Sequence, residues 1–113
     1  MPREMVPPTT REVSERRKAL APKTHEAFEA FQKAVFADGA LSAKTKQIIA
    51  VAVAHVTQCP YCIRGHTKLA RRAGATPEEL MEAVWVAAEM RAGGAYAHAT
   101  VMLDAMAEEP PQS

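Results

Sequence analysis

Residues 48–56, IIAVAVAHV, restrict the fold more than any other part of the chain. A run of β-branched and small apolar residues is compatible with a buried strand. A strand needs a neighbour to pair with, however, and the sequence contains no second strand-like run. The preceding residues, AKTKQ, also continue a helical pattern. We therefore predict a helix here, and because it is apolar on every side we expect it to be buried.

The other segments also have helical periodicity, so the predicted fold is all-α with about six helices. The predicted helices run from Arg11 to Leu20, from Pro22 to the Asp38-Gly39 pair, from the N-cap Ser42 to about Gln58, from the cysteine pair to about Ala73, from the N-cap Thr76 to about Arg91, and from Tyr96 to Ala107. Gly93 and Gly94 are expected to separate the last two helices.

The segment TPEE at residues 76–79 is the clearest helix start in the chain. Thr76 suits the N-cap, Pro77 the first helical position, and Glu79 the third, which together form a capping box. Gly74 lies just before this segment and is expected to end the preceding helix. Local capping signals therefore define the boundary between the fourth and fifth helices.

Chain length and charge limit the classes of function. A chain of 113 residues is predicted to form a single domain, with residues 1–10 as an extended arm and 109–113 as a tail. The net charge of +1 argues against nucleic-acid and membrane binding, which need a basic excess. The N-terminus lacks the apolar core of a signal peptide, and no run approaches the roughly 20 apolar residues of a transmembrane helix. We expect a cytoplasmic protein.

Small apolar residues occupy more than one face of the fifth and sixth predicted helices. They are Ala83, Ala87, Ala88, Ala95, Ala97 and Ala99. Small side chains allow helices to approach closely, either within one chain or between chains. We interpret them as part of an interface in a homo-oligomer.

Both cysteines lie in the segment QCPYCIRGH, residues 58–66. In the cytoplasm a CxxC is more often reactive or metal-binding than a permanent disulfide. Pro60 suits the first position of a helix, which makes Cys59 the N-cap and puts both sulfurs near the positive end of the helix dipole. His66 follows Cys62 by four residues, so the two share a helix face and His66 can activate the thiol.

Two other interpretations of the cysteines compete with a redox pair. His55, Cys59, Cys62 and His66 are types that zinc prefers, but 11 residues separate the histidines. On a straight helix that is roughly 16 Å, too far to share one ion. Cys59, Cys62 and His66 could converge on one zinc ion, but the sequence offers no obvious fourth ligand. The third interpretation is that both cysteines are buried and inert. If the pair is redox-active, the dipole favours Cys59 as nucleophile and the His66 spacing favours Cys62.

The sequence from about residue 44 to 98 carries a family resemblance. The motif CxxCxxxH, followed by an Ala-rich helix and GATxEE, resembles the small AhpD-like (alkyl hydroperoxidase D) branch of the carboxymuconolactone decarboxylase superfamily. The resemblance implies an all-α oligomer, commonly a trimer or hexamer. It also implies that Cys62 attacks peroxide, Cys59 resolves the sulfenic acid as a disulfide, and His66 is the base. Lactone decarboxylases of the superfamily lack the CxxC, so decarboxylation is not predicted.

This chain departs from the AhpD pattern at two positions. Gln47, twelve residues before Cys59, replaces a proton-relay Glu. It can orient His66 but cannot accept a proton. Tyr61 replaces a His between the cysteines and is a poor base near pH 7. His55 and His98 are expected to pack in the core or in an interface. The alternative is that they line the substrate pocket, for which Tyr61 is a third candidate.

The predicted function is an antioxidant oxidoreductase that reduces hydroperoxides through Cys59 and Cys62, with no cofactor. Its expected partners are other copies of the chain and a reductant protein bearing a lipoyl group or thiols. One alternative is a thiol–disulfide reductase with little peroxidase activity, because Gln47 weakens the relay. The other is a non-enzymatic zinc-binding or scaffold oligomer.

Overall fold

The computed structural model describes residues 6–108, which form six α-helices. They are α1 (Arg11–Leu20), α2 (Pro22–Phe36), α3 (Ala43–Thr57), α4 (Pro60–Arg72), α5 (Pro77–Ala97) and α6 (Ala99–Ala107). No strand occurs within these residues, so the helical prediction for residues 48–56 is confirmed. The predicted tail at 109–113 and the first five residues of the arm lie outside the described residues.

Side-chain caps begin the helices where the sequence predicts them. Ser42 accepts a hydrogen bond from the backbone N–H of Thr45 at 3.1 Å. Glu79 N–H donates to Thr76 Oγ1 at 3.1 Å, and Thr76 N–H donates to Glu79 Oε1 at 2.8 Å, which completes the capping box. The Thr76 N–H, helped by the Lys44 ammonium 3.1 Å away, lowers the pKa of Glu79. The start of α5 is therefore defined by contacts within one helical turn.

The predicted break at Gly93 and Gly94 is wrong. Helix α5 continues through both glycines to Ala97, and α6 begins after His98. Among the described glycines only Gly74 has a positive φ, of 100°, and it follows α4 as a C-terminal turn residue. Each interior glycine costs about 1 kcal/mol relative to alanine. That cost is insufficient to break a helix whose backbone hydrogen bonds persist, as in His98 N–H to Gly94 O at 3.1 Å.

Helix α3 is the centre of the fold, because α4 and α5 both pack on it. The shared core consists of Val51, Ala70, Ala75 and Leu80, with Ile48 packed against it. Helix α1 packs on α2, and α6 packs on α5. The core is therefore small, and the first two helices and the last extend away from it. No helix in residues 6–108 is both long enough and apolar enough to span a membrane.

The expectation that α3 is buried on every side is not met within one chain. Val53 is 51% exposed, and Ile49 and Val56 are also exposed. The radius of gyration is 19.8 Å, whereas a compact domain of this size has about 13 Å. Because α4 and α5 cover one side of α3 only, its other side remains open and forms part of a cavity.

Candidate thiol site

The turn between α3 and α4 positions the two cysteines. Gln58 takes a left-handed conformation, with φ of 56° and ψ of 48°, and ends α3. Cys59 is then the N-cap of α4, and Pro60 is its first residue. The backbone N–H of Cys62 donates to Cys59 Sγ at 3.2 Å. The sequence-predicted placement of the CxxC at a helix N-terminus agrees with this geometry.

The two sulfurs are free thiols whose Sγ atoms lie 2.6 Å apart. The Cys62 S–H and the Cys62 backbone N–H both stabilise a thiolate on Cys59, which lowers the pKa of Cys59. The same sulfur–sulfur hydrogen bond, together with burial, raises the pKa of Cys62. While this hydrogen bond persists, Cys59 therefore loses its proton more readily than Cys62.

Gln47 and Phe36 hold His66 in place. The side chain of Gln47 is buried, at 8% exposure, and its Oε1 accepts a hydrogen bond from His66 Nδ1 at 2.7 Å. The Phe36 ring stacks on the imidazole with centroids 5.1 Å apart and an interplanar angle of 29°. Because Oε1 is an acceptor only, Nδ1 carries the proton and Nε2 of the neutral ring is left as a proton acceptor.

Cys62 and His66 line the same cavity, of about 400 Å³. The other lining residues are Val35, Phe36, Lys46, Ile49, Ala50, Val53, Ala54 and Thr57, most of them apolar. Cys59 is not among these residues. The cavity therefore joins one thiol, an imidazole with a free Nε2, and an apolar surface that can accept an organic substrate.

A second cavity, of about 440 Å³, lies against the other side of the His66–Gln47 pair. Phe36, Gln47 and His66 line it together with polar residues of α2, which include Glu29 and Lys33. Phe36 and His66 thus line both cavities, and the second, called the polar cavity below, contains the larger share of polar side chains.

The three possible pocket residues lie away from the cavity of Cys62. Tyr61 OH donates to the carbonyl of Pro7 at 2.7 Å and ties down the N-terminal arm. His98 is exposed, and its Nδ1 donates to Gly94 O at 2.7 Å. His55 Nδ1 donates to Val51 O at 2.7 Å, and its ring lines a separate groove. We call this the basic groove; its lining residues are His55, Gln58, Pro60, Ile63, Arg64, Thr67 and Lys68.

Two residues of the site are not predicted as site residues by the sequence. Phe36, the last residue of α2, and Lys46, near the start of α3, line the cavity but belong to no motif. Lys46 Nζ donates to Ala37 O at 2.6 Å, which ties the end of α2 to α3 and brings Phe36 over His66. No local pattern signals this contact, because 30 residues separate Phe36 from His66.

The zinc alternative has no support in the part of the chain that is described. Within residues 6–108, no three side chains among His, Cys, Asp and Glu are placed to hold one metal ion. His66 is committed through Nδ1 to Gln47, and His55 lines the basic groove.

Comparison with known proteins identifies the family. The model of the carboxymuconolactone decarboxylase family matches residues 22–105. The chain belongs to this family. A family member from Legionella pneumophila, solved in its apo form, superposes with a TM-score of 0.64 at 38% identity and 70% coverage of both chains. A Methanobacterium thermoautotrophicum protein superposes with a TM-score of 0.68 at 39% identity, covering 73% of this chain and 94% of that one.

Two curated relatives are similar in sequence. "Uncharacterized protein 4 in cox locus" of Paracoccus denitrificans is 69% identical over 83 residues, which is 74% of this chain and 75% of that protein. An uncharacterized protein of Cupriavidus necator is 40% identical over 72 residues, 64% of each chain. The comparisons thus establish the family and its all-helical fold.

Proposed function

We propose that this protein is an AhpD-like peroxidase, an antioxidant enzyme that reduces hydroperoxides with the dithiol Cys59–Cys62. The observation that carries the proposal is the shared cavity of Cys62 and His66, with Cys59 Sγ 2.6 Å from Cys62 Sγ. A nucleophile, a base and a resolving thiol are the groups that a two-cysteine peroxidase needs.

The proposed reaction begins when His66 Nε2 removes the proton of Cys62. The Cys62 thiolate attacks the terminal oxygen of ROOH, the O–O bond breaks, and RO⁻ takes the proton from His66 to leave as ROH. Cys62 is now a sulfenic acid, and Cys59 Sγ attacks its sulfur. The new S–S bond forms as the hydroxyl leaves and takes up the Cys59 proton to give water. The dithiol loses two electrons and the hydroperoxide gains them.

The surroundings of Cys62 support an organic hydroperoxide as substrate. Most of the cavity wall is apolar, and burial of alkyl surface there is favourable by about 25 cal/mol per Å². We expect cumene hydroperoxide to react faster than hydrogen peroxide for this reason. A return to the dithiol state requires an external reductant, which we propose is a protein bearing a lipoyl group or thiols.

Thiol titration after addition of cumene hydroperoxide tests the proposal. The native protein should lose two thiols per chain and consume one equivalent of peroxide. Cys62→Ser should consume none, whereas Cys59→Ser should consume one equivalent and leave a sulfenic acid that dimedone traps. Retention of peroxide consumption by Cys62→Ser would show that the nucleophile is assigned to the wrong sulfur.

Thiol–disulfide exchange is a second candidate function, favoured by the direction of the pKa shifts. The hydrogen bonds from Cys62 lower the pKa of Cys59, so Cys59 becomes the attacking thiolate more readily than Cys62. As pH rises from 5, iodoacetamide should then label Cys59 first, and the protein should reduce an aromatic disulfide faster than cumene hydroperoxide. Labelling of Cys62 first would exclude this order of reactivity.

We also propose that the chain acts as a homo-oligomer, a trimer or hexamer. Large apolar side chains of α5 and α6 face solvent in the single chain, including Trp85 at 66% exposure and Tyr96 at 84%. Exposed large apolar side chains concentrated on two successive helices are typical of a protein–protein interface. Sedimentation equilibrium should give a mass of three or six chains, and Trp85→Glu should lower it, whereas Glu82→Gln should not. A monomer at micromolar concentration would refute the proposal.

A further inference from the structure

Two faces of helix α4 line two different cavities. Cys62 and His66 line the apolar cavity on one side. Pro60, Ile63, Arg64, Thr67 and Lys68 line the basic groove, of about 800 Å³, and none of them lines the cavity. Their spacing of three and four residues places them on a single face of the helix. Pro60 directly follows Cys59 in the chain, so the groove begins one residue after the N-cap cysteine.

The charge of this helix face has one sign. Helix α4 contains Arg64, Lys68, Arg71 and Arg72 and no acidic residue, although the whole chain carries a net charge of only +1. Arg71 donates to Ala75 O at 2.7 Å and is committed to the end of the helix. Arg64 and Lys68 are exposed, and neither pairs with a carboxylate anywhere in residues 6–108.

His55 adds a titratable group to the same groove. Val51 O can only accept, so the Nδ1 of His55 donates to it and Nε2 is left unprotonated in the neutral ring. The groove therefore combines an imidazole with two cations, and Pro60 and Ile63 provide apolar surface between them. A broad, shallow surface of this composition suits a protein partner better than a small anion.

We propose that the basic groove is the docking surface for an acidic protein that carries the dithiol reductant. This inference rests on the proposed dithiol chemistry of Cys59 and Cys62. The chain has only two cysteines, so an oxidised Cys59–Cys62 pair must receive its electrons from another molecule. A negatively charged partner in the groove contacts Gln58 and Pro60, the two residues that flank Cys59 in the chain, and leaves the peroxide cavity free.

The electron transfer balances as a dithiol–disulfide exchange. One partner thiolate attacks a sulfur of the Cys59–Cys62 disulfide, the S–S bond breaks, and a mixed disulfide forms with release of the other cysteine as a thiolate. The second partner thiol then attacks the mixed disulfide. The partner ends as a disulfide, and Cys59 and Cys62 have gained two electrons and two protons.

Synthetic CxxC peptides flanked by equal numbers of glutamate, glutamine or lysine residues serve as probes. The Cys59–Cys62 disulfide is formed beforehand with diamide, so the measurement does not depend on peroxide attack. At low ionic strength we expect the glutamate peptide to reduce it about 10-fold faster than the lysine peptide, because charge complementarity raises association rates by 10-fold or more. The difference should largely vanish near 1 M salt, where the Debye length is about 3 Å.

Charge-reversed variants locate the effect. Arg64→Glu/Lys68→Glu should invert the order of the peptides, whereas Arg16→Glu/Lys18→Glu, an equal charge change on α1, should retain it. Dithiothreitol, a neutral dithiol, should reduce every variant at the same rate.

Equal peptide rates, or equal effects of the two double variants, would overturn the inference. A loss of oligomer mass with Arg64→Glu/Lys68→Glu would also overturn it, because a second copy would then occupy the groove. A native protein that fails to lose thiols to cumene hydroperoxide yet discriminates the peptides would instead refute the peroxidase proposal alone.

Discussion

Replacing Gln47 with glutamate tests the role of the hydrogen bond to His66. The substitution is nearly isosteric and puts a carboxylate where Oε1 lies 2.7 Å from His66 Nδ1. An opposite charge at such a distance stabilises the protonated imidazole by about 1.4–3 kcal/mol. Transfer of the Cys62 proton to Nε2 then becomes roughly 10- to 100-fold more favourable.

The expected gain in rate is smaller than the gain in thiolate. The substitution strengthens the base and does not weaken the Cys62 thiolate as a nucleophile, and only part of a gain in base strength appears in the rate of a general-base step. If about half of it appears, on a logarithmic scale, Gln47→Glu accelerates peroxide attack roughly 3- to 10-fold. Stopped-flow measurement of thiol loss with cumene hydroperoxide in single turnover gives this rate directly, free of any reductant.

Two controls separate the relay from a general charge effect. Gln32→Glu adds the same charge on α2, in the polar cavity but without the bond to His66, and should change the rate little. Gln47→Leu leaves the His66 Nδ1–H without its acceptor and should slow the reaction. If Gln47→Glu reacts no faster than the native protein, with an unchanged pH profile, then His66 is not the base for Cys62.

The stability of Gln47→Glu should depend on pH in a defined direction. The introduced carboxylate forms an ion pair with the protonated imidazole in the folded state only. The stabilisation from this pair is present in mildly acidic solution, where the imidazole is protonated, and is lost as the pH rises. Thermal unfolding from pH 5 to 9 should show this loss in the variant and not in Gln47→Leu.

Four further substitutions test the local structure. Gly94→Ala should raise the free energy of unfolding by about 0.5–1 kcal/mol, because Gly94 lies inside α5 and an added Cβ meets nothing within 4 Å. Gly74→Ala should lower the free energy of unfolding, because alanine is strained at the φ of 100°. Denaturant titration measures both changes. Thr76→Ala should lower unfolding stability by about 1 kcal/mol through loss of the α5 cap, and unchanged stability would contradict the capping role. Tyr61→Phe should release the arm from the Pro7 carbonyl and speed amide exchange near residues 6–10, with no change in the far-UV circular dichroism.

Helix positions were largely predictable because their causes are local. Ser42 and Thr76 cap helices through N–H groups three residues ahead, and both caps agree with the prediction. The break predicted at Gly93 and Gly94 was wrong, because neighbouring alanines and an intact hydrogen-bond ladder stabilise α5 by more than the two glycines destabilise it. Short-range patterns identify where a helix can start more reliably than where it must stop.

The candidate site was only partly predictable. The order of Cys59, Cys62 and His66 on one helix follows from spacing, and the importance of position 47 came from the family resemblance. The stacking of Phe36 on His66 and the hydrogen bond from His66 to Gln47 join separate helices, so no periodicity in the chain reports them. The structure also distinguishes the two cysteines, since Cys62 lines the apolar cavity and Cys59 does not.

Residues within a turn of one another thus establish the helices, the position of Cys59 at a helix N-terminus, and the placement of Cys62 and His66 on a shared face. Hydrogen bonds within one helical turn, such as those of the caps, depend on three or four consecutive positions, which the sequence displays directly. The tautomer of His66, the apolar cavity beside Cys62 and the basic groove arise where α2, α3 and α4 meet. Those features depend on packing between residues far apart in the chain, such as Gln47 and His66, which are 19 positions apart, and become visible only when the helices are assembled.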